Sequence, residues 1–370
     1  MRILYVLFNA PPLHSGRARQ ALMLAEELNR RPGVQVQAIS LDQGQVIAPP
    51  YPPPLRRRLD VWQAKRVWRV ILAFCIRERI QVVHFHGHNY ATHLTPVLRL
   101  LGIRCFQHMT QKGFDDPATL LDGRGSRLQR YALSRLSAWI VQNPDDVIAH
   151  THPPVVNIPN AVAPPRPRLE TPGKRTLILS GVVCPRKGQL EVLRLFAALP
   201  AAVRAGLRLR LAGSYTDDFW EFDADYVAQC RSLAATLPEA ALLGHLSKQE
   251  LTDELRQAHY FFAISAVEGL SNAYLECLNQ GLLPITYTDR HDALFDTLAI
   301  TDALIRIPAG DPARGAAALA AALACEPWSE PLARDIQARV AAGFGLTRIA
   351  DRLLALYRNP IAPEPGASIQ

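Results

Sequence analysis

The chain has 370 residues, 49% of them hydrophobic and 20% charged, and a formal net charge of +8. That length fits two domains of about 150 residues each, and the composition excludes a disordered chain, a fibre and a coiled coil. The charge is uneven: up to Asn160 there are 20 Lys+Arg against 10 Asp+Glu, and beyond it 21 against 23, so the first half is expected to face an anionic partner.

In chain order, RILYVLF (2–8) reads as a buried strand. A Pro/Gly loop follows, then a helical pattern through Ala21, Leu24 and Leu28, and an alternating strand over Val34–Ser40. IAPPYPPPLRRR is too rich in proline for regular structure. Residues 60–79 read as a helix that mixes Trp62 and Trp68 with Lys65, Arg66 and Arg69. Strands are expected at 82–85, 103–108, 138–142 and 155–158, with helices at 90–101 and 118–135 between them. NAVAPPRPRLETPGKR (160–175) is unpatterned and reads as a linker. A second series of strands follows, at TLILSGV, LRLRLAG, ALLGHL, YFFAIS, LLPITY and ALIRI, and it closes on helices at 310–324, 329–341 and 346–358. Strands alternating with helices, twice over, imply an α/β fold of two doubly wound, Rossmann-like domains with parallel sheets. The expected division is 1–160, linker 161–175, 176–345, a closing helix over 346–359 and a disordered tail over 360–370. Ligands of such domains bind beyond the carboxyl ends of the strands, and the expected site is a cleft between the two domains.

Six cysteines, at 75, 105, 184, 230, 277 and 325, have no CxxC pair, which indicates reduced thiols in a cytoplasmic protein. No apolar run reaches the ~18 residues of a membrane span, and MRILYVLFNAPP has too short an apolar part for a signal peptide.

Four segments carry chemistry. In AISAVEGLSNAYLECLNQGLLPITY (263–287) a strand is expected to end at Ser265, and a turn with Gly269 leads to a helix capped by Ser271. Glu268 and Glu276 flank that helix start. A helix N-terminus favours anions, so two carboxylates around it suit the hydroxyls on either side of a diphosphate. In SGVVCPRKGQLEVL (180–193), Arg186 and Lys187 precede a helix opened by Gly188, again a phosphate arrangement. FNAPPLHSGRARQ places Gly16 between the first strand and the first helix, without a GxGxxG fingerprint. CFQHM puts His108 at the end of a strand.

Together these segments resemble the retaining glycosyltransferases of the GT-B fold known as family 4. The resemblance runs over nearly the whole chain and rests on Glu268-x7-Glu276 within SAVEGLSNAYLECLNQGLLP. It implies that Glu268 contacts the donor sugar and Glu276 the ribose, while Gly269, Leu270, Ser271 and Asn272 offer backbone N–H groups to the diphosphate. Lys187 takes the place of the family's phosphate lysine, Gly16 that of its N-terminal glycine loop, and His108 that of a histidine near the reacting carbon. The resemblance also implies an N-terminal acceptor-binding domain, a C-terminal domain that binds the nucleotide sugar, and a last helix that closes back on the first domain. Three departures stand out. Val182 replaces an arginine after Gly181, leaving Arg186 as the candidate second cation; Arg17 replaces a second glycine; and IPNA replaces IPNG.

The implied reaction transfers a sugar from a nucleotide-diphosphate donor to a hydroxyl acceptor with retention and without a metal or a cofactor. The implied setting is the assembly of a polysaccharide, lipopolysaccharide or glycolipid. Asp223-Ala224-Asp225 imitates a metal-binding DxD but lies in a helical stretch. The rival readings are a GT-B sugar-nucleotide epimerase and a metal-dependent hydrolase built on His84, His86 and His88. Arg56, Arg57 and Arg58, beside Trp62, suit the anionic inner face of a membrane carrying a lipid-linked glycan acceptor. Nucleic acid is not an expected partner.

Overall fold

The computed structural model describes residues 1–7, 16–40, 66–87, 90–109, 116–121, 126–148, 151, 153–169, 173–216, 222–266, 270–290 and 292–360. The chain divides into two units, Met1–Ala161 with Phe344–Gln370, and Val162–Gly343. The Arg56–Arg58 cluster, Trp62, His88, Glu268 and Gly269 lie outside the described residues, as does the tail beyond 360.

The first unit contains β1 (Arg2–Leu7), α1 (Gly16–Asn29), β2 (Gln35–Ser40) and α2 (residues 66–77). It continues through β3 (Val82–His86), α3 (Thr95–Leu100), β4 (Arg104–His108), α4 (Pro117–Leu121), α5 (Arg127–Leu133), β5 (Ala138–Val141) and β6 (Val155–Asn157). The strands form one parallel sheet in the order β2-β1-β3-β4-β5-β6. β1 is apolar at consecutive positions because both of its faces are covered, as expected of a central parallel strand. Ile3, Tyr5 and Leu7 pack with Ala21, Leu24 and Leu28 of α1 on one face. Leu4 and Val6 share the opposite core with Val67 and Ile71 of α2, Leu98 of α3 and Leu133 of α5.

The helix expected over 118–135 is two helices, α4 and α5. Ser126 starts the second by accepting the Gln129 backbone N–H at 3.1 Å, and the intervening DGRG carries two glycines, which disfavour a helix interior.

The second unit contains β7 (Arg175–Ser180), α6 (Gln189–Ala197), α7 (Ala201–Ala205), β8 (Leu207–Ala212), α8 (Ala224–Ala235), β9 (Ala240–Gly244), α9 (Lys248–Gln257) and β10 (Tyr260–Phe262). It closes with α10 (Asn272–Asn279), β11 (Leu283–Tyr287), α11 (Ala293–Thr297), β12 (Ile305–Ile307), α12 (Pro312–Ala324) and α13 (Glu330–Phe344). Its parallel sheet runs β12-β11-β10-β7-β8-β9. Side chains mark the helix starts: Ser247 forms a capping box with Glu250, and Asp292 and Asp311 cap α11 and α12. Asp223 accepts the Tyr226 N–H at 2.9 Å, so the DxD-like string is the start of α8.

The last helix, α14 (Leu346–Arg358), belongs to the first unit. Its Ile349, Leu353 and Tyr357 join the α1 face of the sheet. Arg31 ties the two helices together, bonding Asp351 at 2.9 Å and Glu27 at 3.0 Å. Among the described residues, no helix is long and apolar enough to cross a membrane.

Candidate functional site

In the second sheet the chain leaves β7 toward β8 and β9, but places β10, β11 and β12 on the other side of it. The strand order therefore reverses between β7 and β10, and ligands of open α/β sheets bind at such a switch point. The loops leaving these two strands hold the two phosphate-type segments of the sequence.

The first loop is built on glycines. Gly181 has φ +151°, and a Cβ there would lie 3.2 Å from Lys187 Cε and 3.3 Å from its Cδ, so the lysine stem lies along this residue. Gly188 has φ +79° and ends the short turn Pro185–Lys187 before α6. Lys187 is buried and Arg186 half-buried. Gln189 staples the loop, its amide donating to Val182 O at 2.9 Å and Gly181 O at 3.2 Å.

Gly213, after β8, permits the closest approach. A Cβ there would lie 1.8 Å from Gly181 O. Gly213→Ala should therefore force two backbone segments apart and cost about 3 kcal/mol or more. Denaturant unfolding beside the wild type measures this, and a loss under about 1 kcal/mol would contradict the packing.

The second loop does not continue as a strand to Ser265. β10 ends at Phe262; Ala263 N–H still donates to Ile285 O of β11 at 2.8 Å, but Ser265 N–H donates to the Tyr274 hydroxyl at 3.1 Å rather than to a neighbouring strand. Ala266 N–H then donates to Arg186 O at 2.8 Å, which brings the two loops together. Leu270 and Ser271 are buried, and Asn272 begins α10. Ser271 occupies the cap position, but its side chain makes no capping bond, contrary to the expected role. Glu276 is half-buried, one turn into the helix. The structure thus gathers Arg186, Lys187, Leu270, Ser271, Asn272 and Glu276 at one end of one sheet.

In the first sheet the order reverses between β1 and β3. Gly16 is the exposed first residue of α1, and the backbone of Arg17 continues that helix. His84 and His86 lie on one face of β3, and His108 is the register partner of His86 on β4. The His108 ring stacks with those of His84 and His86, centroids 5.5 Å apart in each case, and the His84 and His86 rings are tilted with centroids 4.1 Å apart. Tyr357 Oη lies 2.5 Å from His84 Nδ1 and donates to Tyr5 Oη at 3.1 Å. Burial lowers all three histidines, His108 to about 4. His84 Nε2, His86 Nε2 and both His108 nitrogens have no hydrogen-bond partner among the described residues. Ligand atoms of these three histidines lie within 4.8 Å of one another, so the group near which a metal fits includes His108 rather than the sequence run alone.

Sequence reasoning missed Gln189, Tyr274, Tyr226 and Gly213. Tyr226 receives the Leu190 N–H at 2.9 Å and bonds Glu191 at 3.1 Å, fixing the start of α6. The one legible signal was the pair of glycines ending the adjacent strand segments TLILSG and LRLRLAG.

No family model matches the sequence, and no curated protein matches it. Solved structures do resemble the fold. A sucrose-phosphate synthase from Thermosynechococcus elongatus superposes with a TM-score of 0.73 at 16% identity, over 97% of this chain and 98% of that one. An α,α-trehalose-phosphate synthase (UDP-forming) from Burkholderia xenovorans, in complex with glucose-6-phosphate, gives 0.66 at 13%, over 96% and 99%. The Anabaena protein HepE, in complex with UDP and glucose, gives 0.63 at 12%, over 97% and 99%. With two six-stranded parallel sheets in these orders and likeness along nearly its whole length, the chain has the GT-B fold.

Proposed function

We propose that this protein is a glycosyltransferase that moves a sugar from a nucleoside-diphosphate donor to a hydroxyl acceptor, with retention and without a metal, in the manner of family 4. The observation that carries this reading is the bond from Ala266 N–H to Arg186 O, which joins a cationic loop and a helix N-terminus at the switch point of one sheet. A diphosphate leaving group develops negative charge, and fixed cations and helix-end N–H groups stabilise it without reorganising. Lys187, with Arg186, meets that charge; α10 contributes its N-terminus. Glu276 holds the ribose, and Glu268, with Gly269, the sugar side. The leaving phosphate helps take the acceptor proton on the same face. His108, neutral, serves near the reacting carbon, Gly16 on the donor side and Arg17 on the acceptor side. The glucose-6-phosphate of the Burkholderia protein and the UDP and glucose of HepE support a donor and acceptor of these classes. The acceptor is a glycan or lipid-linked glycan at the anionic inner face of a membrane, reached from the cytoplasm.

The test is calorimetric titration with UDP, GDP, ADP and dTDP in EDTA, followed by kinetics with the sugar donor that matches. One nucleotide should bind. Glu276→Gln should weaken it about 10- to 150-fold, the loss of one charged hydrogen bond, with kcat nearly kept. Glu268→Gln should lower kcat and leave nucleotide affinity unchanged. Binding of no nucleotide at millimolar concentration sinks the reading. Activity lost in EDTA and restored by Mn²⁺ removes metal independence, and donor turnover without acceptor to an epimeric sugar favours the epimerase.

A further inference from the structure

We propose that the face of the first unit formed by α2, α3 and α5 docks onto an anionic lipid bilayer. The proposal rests on the reading above and deepens it by naming the surface that meets the membrane, which is made of residues outside the candidate site.

The three helices cover one face of the first sheet and share one core. α3 and α5 pack directly against each other. Their outer surfaces are not those of ordinary solvated helices. On α2 the outward positions are Arg66, Arg69, Val70, Ala73, Ile76 and Arg77, spaced three and four apart along one stripe. Ile76 is 61% exposed. On α3, Val97 and Leu100 face outward, Leu100 at 88% exposure, and exposed Leu101 follows. On α5, Leu128 is 58% exposed and Tyr131 stands one turn further, with Arg135 over its ring at 5.0 Å. Of the exposed large apolar side chains among the described residues, only Val147 and Leu169 lie outside these three helices and their ends.

Charge selects the occupant. The segments 66–77, 95–101 and 126–135 contain no Asp or Glu. They contain seven arginines, of which Arg77 pairs with Glu78 just beyond α2 at 2.8 Å and Arg99, Arg127 and Arg130 complete the set on α3 and α5. A second copy of the chain docking by a twofold axis would set this basic face against itself. Nucleic acid would take the arginines but leave isolated aliphatic side chains against a phosphate backbone. An anionic bilayer takes both: basic groups meet its surface potential, and protruding Leu, Ile, Val and Tyr side chains enter the headgroup boundary.

The experiment is co-sedimentation of the full chain with vesicles of phosphatidylcholine alone or with phosphatidylglycerol, without donor or acceptor. Its failure therefore leaves the transferase reading standing, and the reverse also holds. The wild type should bind the anionic vesicles and ignore the neutral ones. Arg66→Gln/Arg69→Gln/Arg127→Gln should lose roughly fivefold per arginine, about 100-fold together. Leu100→Ser/Leu128→Ser should lose about tenfold or more on the same vesicles. All five residues are exposed, so both variants should keep the wild-type melting temperature; the arginine variant alone suffices if the leucine variant does not fold. No binding by the wild type, equal binding to neutral vesicles, or wild-type affinity in the arginine variant overturns the proposal. So does a dimer in sedimentation velocity that the leucine variant dissolves, or tighter binding to an oligonucleotide than to the vesicles.

Discussion

Lys187→Met should lower kcat/KM for sugar transfer about 100- to 1,000-fold while leaving the fold intact. The size is that of removing one preorganised group that stabilises charge on a leaving oxygen. The substitution is chosen from the packing. The stem of Lys187 lies along Gly181, within 3.2–3.6 Å of where a Cβ would stand, and methionine keeps an unbranched apolar stem of similar reach in that contact. The ammonium alone is lost. Arg186→Met should cost less, because this residue is half-buried where Lys187 is buried, and the substitution retains the backbone carbonyl that accepts the Ala266 N–H. Steady-state kinetics with calorimetry of the nucleoside diphosphate measure both variants. A Lys187→Met enzyme within fivefold of the wild type, at equal stability, would remove the lysine from the charge-bearing role.

The second large effect is on stability in acid. Burial holds His108 down at about 4, and it holds His84 and His86 well below the usual imidazole value, with their mutual charge adding to the effect. The groups facing them from β1 and α14 are Tyr5 and Tyr357, both pushed up by burial and uncharged in this range. The native state therefore keeps the imidazoles neutral, whereas the unfolded chain takes up protons below about 6.5. Stability is fully present above that pH and is lost as the pH falls toward 4. For His108 alone, a fall from 6.5 to about 4 corresponds to about 3 kcal/mol. His259 in the second unit, lowered to about 4 by burial and then by Arg168 and Arg175, acts in the same window. Denaturant melts at pH 7 and 4.5, in EDTA, should show this loss, and His108→Gln should reduce its slope by about one proton. A flat profile in the wild type, or an unchanged slope in the variant, contradicts the burial of a neutral cluster.

The alternation of elements was legible because apolar runs such as RILYVL and TLILS belong to strands covered on both faces, whose burial demands continuous hydrophobicity. Element ends were less legible. The break between α4 and α5 turns on a serine cap, and the end of β10 on the Tyr274 hydroxyl reaching back nine residues to Ser265. A local pattern does not record which long-range donor or acceptor a backbone group will find. The His84 and His86 pair was readable from strand periodicity, but its union with His108 required the register of β3 against β4.

The sequence by itself determined the α/β class, the phosphate-type loops after two strands and the basic first half, since each follows from residue type and short spacing. Only the tertiary structure decided that the two loops are neighbours, because the order in which parallel strands are laid down sets which strand ends meet. It alone decided that Gly213 must be glycine, because the Gly181 carbonyl occupies the place of its Cβ. And it alone gathered the arginines and exposed leucines of three separate helices onto one face, because the right-handed crossovers from β2 to β3, β4 and β5 all advance in one direction across the sheet and so lay their helices on the same side.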